Sequence, residues 1–165
     1  MGEYFLYANL DREEFFHPSA LGANVRASGV GLDLPGRALG LLLMAREVTR
    51  ASIRGSWAGT RVVAVGDYTA PDPFGVVTRT ADQPERNLYV HAQEVFRDIA
   101  PEILRMLLED APEALLERAR RNDRVFVGLA ELVFVRRDAS TERFMLEHFG
   151  KDWPKVYAKK RAAPR

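Results

Sequence analysis

The chain has 165 residues, 47% of them hydrophobic and 28% charged, with a net charge of +1 and no cysteine. That length and apolar content suit one domain with its own core, no apolar run approaches the roughly 20 residues of a membrane helix, and disulfides, thiolate metal sites and cysteine nucleophiles are excluded. A cysteine-free chain fits a reducing cytoplasm, and the N-terminus, with Glu3 where a secretory leader is basic and Leu6 where a myristoylation signal has Ser or Thr, reads as carrying no targeting segment.

In chain order, residues 3–9 (EYFLYAN) form a short aromatic and aliphatic run that suits a buried strand. REEFFHP pairs back as a second strand, ending at Pro18, which has no N–H to extend a ladder. Residues 19–33, with three glycines, read as a loop. From Pro35 to about Arg50 the spacing of Leu39, Leu42, Leu43 and Arg46 predicts a helix opened by Asp33 and buried on more than one side, with Gly40 admitting another backbone. ASIRGSW and TRVVAVGDY, flanking Ala58-Gly59, read as a hairpin. Its second arm is apolar on both faces, Val63 and Val65 on one and Val62 and Ala64 on the other, which suits a central strand. Residues 69–86 contain three prolines and read as a long exposed loop.

NLYVHAQEVFRDI is expected to begin as a strand and end as a turn of helix. APEILRMLLEDA and PEALLERARR read as helices with Pro101 and Pro112 in their first turns, the second with its acid early and its arginines late, as the helix dipole favours. RVFVGLAELVFVRR, rich in valine and phenylalanine, reads as one bent strand or two short ones around Gly128. Ser140 is placed to cap a helix running to Phe149 and ended by Gly150. From Gly150 the chain carries Lys151, Lys155, Lys159, Lys160, Arg161 and Arg165 against Asp152 alone, so residues 1–149 are net acidic. The expectation is an α+β fold in a single domain, a mainly antiparallel sheet packed against several helices over residues 1–150, with a basic C-terminal tail, 151–165.

YFLYANLD near the N-terminus, WAGTRVVAVGDY in the middle and the later NLYVHAQEVFRDI together resemble a group of small uncharacterised prokaryotic proteins with Y-F-L-x-A-N-L-D and W-A-G-x-R-V-V-x-V-G-D-Y patterns. The resemblance covers about a quarter of the chain and implies no catalytic residues; this sequence departs from it at Thr60, where the group has an acid.

Two clusters invite chemistry. His91, Glu94 and Asp98 share a face if their segment is helical, and imidazole with carboxylates can bind a divalent metal or relay protons. The same spacing makes a solvated helix face, with Asp98 capping the helix that follows, and no second histidine completes a zinc-hydrolase motif. Asp67, Tyr68 and Asp72 close the central strand, where carboxylates can hold Mg²⁺ or serve as acid and base, or where Gly66-Asp67 simply makes a turn. The glycines match no phosphate loop or dinucleotide site. His17, before Pro18, and His148, near a helix end, need no catalytic role. Trp57 and Trp153 read as packing anchors; an exposed Trp57 would instead be a partner contact.

The reading adopted is a non-enzymatic protein-interaction module that binds through Trp57, Asp67, Tyr68, Asp72 and Phe74, with a protein partner and no cofactor or metal. The alternative is a small metal-dependent enzyme in which Asp67 joins His91, Glu94 or Asp98. A third possibility is weak nucleic-acid binding by the tail, with Trp153 and Tyr157 stacking on bases.

Overall fold

The structure, a computed structural model, describes residues 4–23, 33–45, 52–68, 74–77 and 86–162. It is α+β, as expected. Strands β1 (Phe5–Asn9), β2 (Glu14–Phe16), β3 (Val62–Gly66) and β4 (Arg97–Asp98) form one sheet in the order β3-β1-β2-β4. The β1–β2 and β1–β3 ladders are antiparallel, and β2–β4 is parallel. A 3-10 helix, Pro18–Leu21, follows β2, and the helices are α1 (Asp33–Leu43), α2 (Leu88–Val95), α3 (Ala100–Asp110), α4 (Pro112–Arg121), α5 (Asp123–Arg136), α6 (Ala139–Phe149) and α7 (Trp153–Ala162).

Strand alternation divides the side chains between two cores. Tyr7 and Phe16, paired across β1 and β2 with ring centroids 5.0 Å apart, face a large core shared with Trp57 and with α1, α3, α4, α5, α6 and α7. Leu6, Ala8, Phe15 and Val65 face the other way, onto Leu88, Ala92 and Phe96 of the α2 segment. The sheet therefore lies between a helical layer and α2. This explains why β3 is apolar on both faces although it is an edge strand among the described residues, not a central one: Val63 and Val65 pack with α2, and Val62 packs with the large core.

The hairpin expected around Ala58-Gly59 does not form. Residues 54–59 are a succession of turns, with Gly55 and Gly59 at φ +66° and +73°, where a Cβ would be strained. Their backbone is used by α1: Gly55 N–H donates to Leu41 O at 2.9 Å and Trp57 N–H to Leu42 O at 3.0 Å, satisfying carbonyls that a helix end leaves open. This anchoring drives Trp57 wholly into the large core, 5.8 Å from Phe16 between ring centroids. Its indole N–H donates to Glu14 Oε2 at 2.8 Å. Glu14 is itself buried, and Arg12 Nε reaches the same oxygen at 3.1 Å while Arg97 Nη2 reaches Oε1 at 2.7 Å. Burial pushes the Glu14 pKa up, but the hydrogen bonds from Arg97, Trp57 and Arg12 outweigh it and hold the carboxyl below the usual glutamate range.

The segment from Arg124, expected as strand, is the helix α5. Asn122 Oδ1 caps it, accepting from Arg124 N at 3.0 Å and Val125 N at 3.4 Å, and Arg137 ends it in the left-handed conformation. Its buried residues, Val125, Phe126, Leu129, Ala130 and Leu132, cover more than one face because α3, α4, α6 and α7 all pack on it. That burial overrides the β propensity of its valines. A Cβ on Gly128 would stand 2.6 Å from Leu104 Cδ1, so the glycine sets how closely α3 approaches. Gly40 has no such role, since the space beside it is open.

Other boundaries differ in smaller ways. Residues 88–98 are helix and then strand, the reverse of the expected order. The cap of α6 is Asp138, whose Oδ1 accepts from Thr141 N at 2.9 Å, while Ser140 donates its hydroxyl to that carboxylate; Gly150 ends the helix as expected. Residues 153–162 do not fray: they form α7, antiparallel to α5, with Trp153 and Tyr157 buried against Phe134 and Lys160 ion-paired to Asp123. Residues 46–50 of the expected first helix lie outside the described residues.

These contacts set the stability of three variants. Glu14→Gln is expected to lower the unfolding free energy by about 2–4 kcal/mol near neutral pH, because it removes a charge that two arginines and an indole are arranged around. The folded pKa is depressed, so the carboxylate's contribution is complete above the unfolded value and is lost as pH falls through the folded one. The gap between wild type and variant in urea titrations should therefore close below about pH 4. Gly128→Val should cost about 1–3 kcal/mol by overpacking against Leu104, whereas Gly40→Ala should gain about 0.5–1 kcal/mol from helix propensity alone; the same titrations read both.

Candidate functional site

The candidate residues at the end of β3 are organised by Asp67. Asp67 and Tyr68 make the expected turn; the N–H of Asp67 donates to Tyr4 O at 2.9 Å and its Oδ1 accepts from Tyr4 N at 3.0 Å, so the carboxylate also fixes the start of β1. Its carbonyl accepts from Asn87 Nδ2 at 2.8 Å. Asn87 Oδ1 in turn caps α2, accepting from Val90 N at 3.1 Å. One aspartate thus holds the start of β1, the end of β3 and the start of α2 together.

Around this junction the side chains are aromatic. Tyr4 is 46% and Tyr68 64% exposed, and Val90 on α2 is exposed as well. Phe74 is 42% exposed, in a short described stretch whose Val76 and Val77 pack on the smaller core. Asp72 lies outside the described residues, as does most of the loop 69–86. Trp57, placed among the binding residues by sequence, is fully buried and cannot meet a partner; it is an internal anchor.

Behind the exposed tyrosines is a relay that sequence reasoning missed. Tyr89 Oη lies 3.0 Å from His17 Nε2, and His17 Nδ1 lies 2.9 Å from Ser19 Oγ. Burial pushes the His17 pKa down, with the charge of Arg124 acting in the same direction, so the imidazole is neutral at pH 7. Burial and then the nearby charge of Asp67 push the Tyr89 phenol up. Tyr89 and His17 are 72 residues apart in sequence, and no local spacing announces the relay.

The metal-binding alternative finds no support among the described residues. His91 is buried edge-on against Phe96, with ring centroids 5.5 Å apart. Glu94 pairs with Arg86 at 2.7 Å, and Asp98 Oδ1 accepts from Ala100 N at 2.9 Å just ahead of α3, although the N-cap position of that helix is Ile99 and not Asp98 as expected. Each residue has separate work, and no group of three histidine or acidic side chains converges among the described residues. Thr60 accepts from Asn9 Nδ2 at 2.8 Å and donates to Trp57 O at 2.6 Å.

A cleft of about 130 Å³ between α3 and α5 is lined by Glu102, Arg105, Arg136 and Asp138, among others. These four neutralise one another or the sheet: Arg105 pairs with Asp138, and Glu102 Oε1 takes both Arg136 and Arg97. Comparison of the chain with protein-family models, with curated proteins and with solved structures gives no match.

The neutral, partly buried His17 makes stability pH-dependent in a known direction. Its folded pKa is lowered, so the unfolded chain takes up the proton first, and stability is complete above about pH 6.5 and declines as the pH falls. His17→Gln should flatten the decline that sets in below about pH 6.5 in thermal melts, leaving the steeper carboxylate-driven loss at lower pH.

Proposed function

We propose that this chain is a cytoplasmic protein-interaction module whose contact face is formed by Tyr4, Asp67 and Tyr68, flanked by Phe74 and Val90. The supporting observation is the pinning of exposed tyrosines on one rigid junction. Tyr4 is locked to Asp67 by two hydrogen bonds, and Tyr68 follows directly at 64% exposure. Aromatic rings held on a rigid backbone offer large contact area at small entropic cost, which is the make-up of binding hot spots. The partner this face suits presents aliphatic side chains to the rings and a cation to Asp67. His91, Glu94 and Asp98 are each occupied within the fold, so the metal-dependent enzyme is not carried forward.

The test is site-specific photo-crosslinking in cells, with the reactive residue at position 68 and, as a control, at position 155 on α7. One discrete adduct at 68 and none at 155 is expected. With the captured protein purified, Tyr68→Ala should weaken binding tenfold or more, the loss expected of a hot-spot aromatic, by titration calorimetry. Adducts that are equally diffuse at both positions, or a Tyr68→Ala variant that binds as tightly as wild type, would refute the reading.

A further inference from the structure

A second surface, built from other residues than the aromatic face, is assembled by the packing of α7. Because α7 runs antiparallel to α5, its C-terminal turn lies against the α4–α5 junction. Lys160 pairs with Asp123 and sits 5.6 Å from the centre of the Phe126 ring, and Arg161 lies 5.9 Å from the centre of Tyr157. The Lys160–Asp123 pair sets the segment carrying Lys159, Lys160 and Arg161 beside the segment carrying Arg120, Arg121 and Arg124, six cations with two acids, Glu117 and Asp123, in the same stretches. Both acids are engaged, Glu117 by Arg121 at 2.7 Å and Asp123 by Lys160. Arg120, Arg124, Lys159 and Arg161 are exposed and have no acid within ion-pair distance among the described residues. In a chain whose net charge is only +1, this is a concentrated positive field at one end.

We propose that this end of the molecule binds the phosphate backbone of nucleic acid without reading its sequence. Four of the six cations are arginines, whose planar forks match phosphate oxygens, and they come from two separate segments that present charge across a surface. Base stacking plays no part, because Trp153 and Tyr157, the rings that would supply it, are buried against Phe134. The same burial argues against a membrane surface: α7 turns its large apolar side chains inward and leaves Val156 as its one exposed large hydrophobic residue, whereas an interfacial helix needs a bulky apolar face to insert.

The experiment is fluorescence anisotropy of a labelled DNA duplex of about 20 base pairs with the full chain across a KCl series from about 50 mM. Four phosphates neutralised predicts a slope of log affinity against log salt of about −3 to −4. Arg124→Glu/Lys159→Glu should weaken binding at least tenfold. Arg137→Glu/Arg143→Glu makes the same change in net charge at the opposite end of α5 and on α6, and should weaken it less than threefold. Circular dichroism confirms that both pairs fold, their altered side chains being exposed. Equal losses from the two pairs would reduce the effect to net charge and overturn the proposal. Absence of duplex binding at the lowest salt would also overturn it, as would displacement of the duplex by polyglutamate as readily as by unlabelled duplex, or binding confined to vesicles rich in phosphatidylserine.

Discussion

The buried carboxylate of Glu14 is the point through which the separate parts of this fold are tied. It is reached by Arg12 from the β1–β2 turn, by Trp57 from the segment that closes α1, and by Arg97 from β4. Removing a carboxylate from water costs several kcal/mol, and three hydrogen bonds to a charged group at about 1.5–3 kcal/mol each are enough to offset it. The two arginines stay partly in solvent, which keeps their own desolvation small. Arg97 then continues the chain of charge to Glu102 on α3, and Glu102 to Arg136 on α5, so a polar network runs from the sheet across to the helical layer.

The helical layer depends on α5 in the same way that the sheet depends on Glu14. Helix α5 is apolar on several faces because four helices surround it, and the missing side chain at Gly128 is what lets Leu104 of α3 come close. Covering it from outside, α7 buries two aromatic rings and leaves its cations outward. A strongly basic segment thereby becomes a structural helix without losing its charge. Packing has converted a charge run in sequence into a localised surface at the α4–α5 junction.

The two proposed surfaces arise by different physics. At the β3 end, a single aspartate bonds the backbone of Tyr4 and the capping Asn87, and the exposed rings beside it gain rigidity from that. At the α7 end, cations are left over after the available acids have paired. The first favours shape and apolar contact; the second favours long-range, screened attraction. Neither uses Trp57 or Trp153, the two residues whose size alone makes them conspicuous, because both are consumed by the core.

Much of the architecture was legible from residue order. Length and apolar fraction pointed to one domain, short aromatic and aliphatic runs marked β1 and β2, proline at the first turn marked α3 and α4, and glycine marked the end of α6. These are local preferences that act within a few residues, so they can be read without knowing the neighbours. Helix α5 shows where that reading stops: its valines suggest strand, although a run of 14 residues with buried positions at helical spacing already held the contrary signal. The site was legible only in part. Asp67, Tyr68 and Phe74 could be picked out as polar or aromatic residues near a loop, but the link from Asp67 to Tyr4, the relay from Tyr89 to Ser19, the burial of Trp57 and the meeting of α7 with the α4–α5 junction join residues from 37 to 72 positions apart. Partners at such separation are selected by the packing of whole elements, which no short stretch of chain encodes, and so the surfaces that can bind were settled by assembly while the elements that assemble were settled by order.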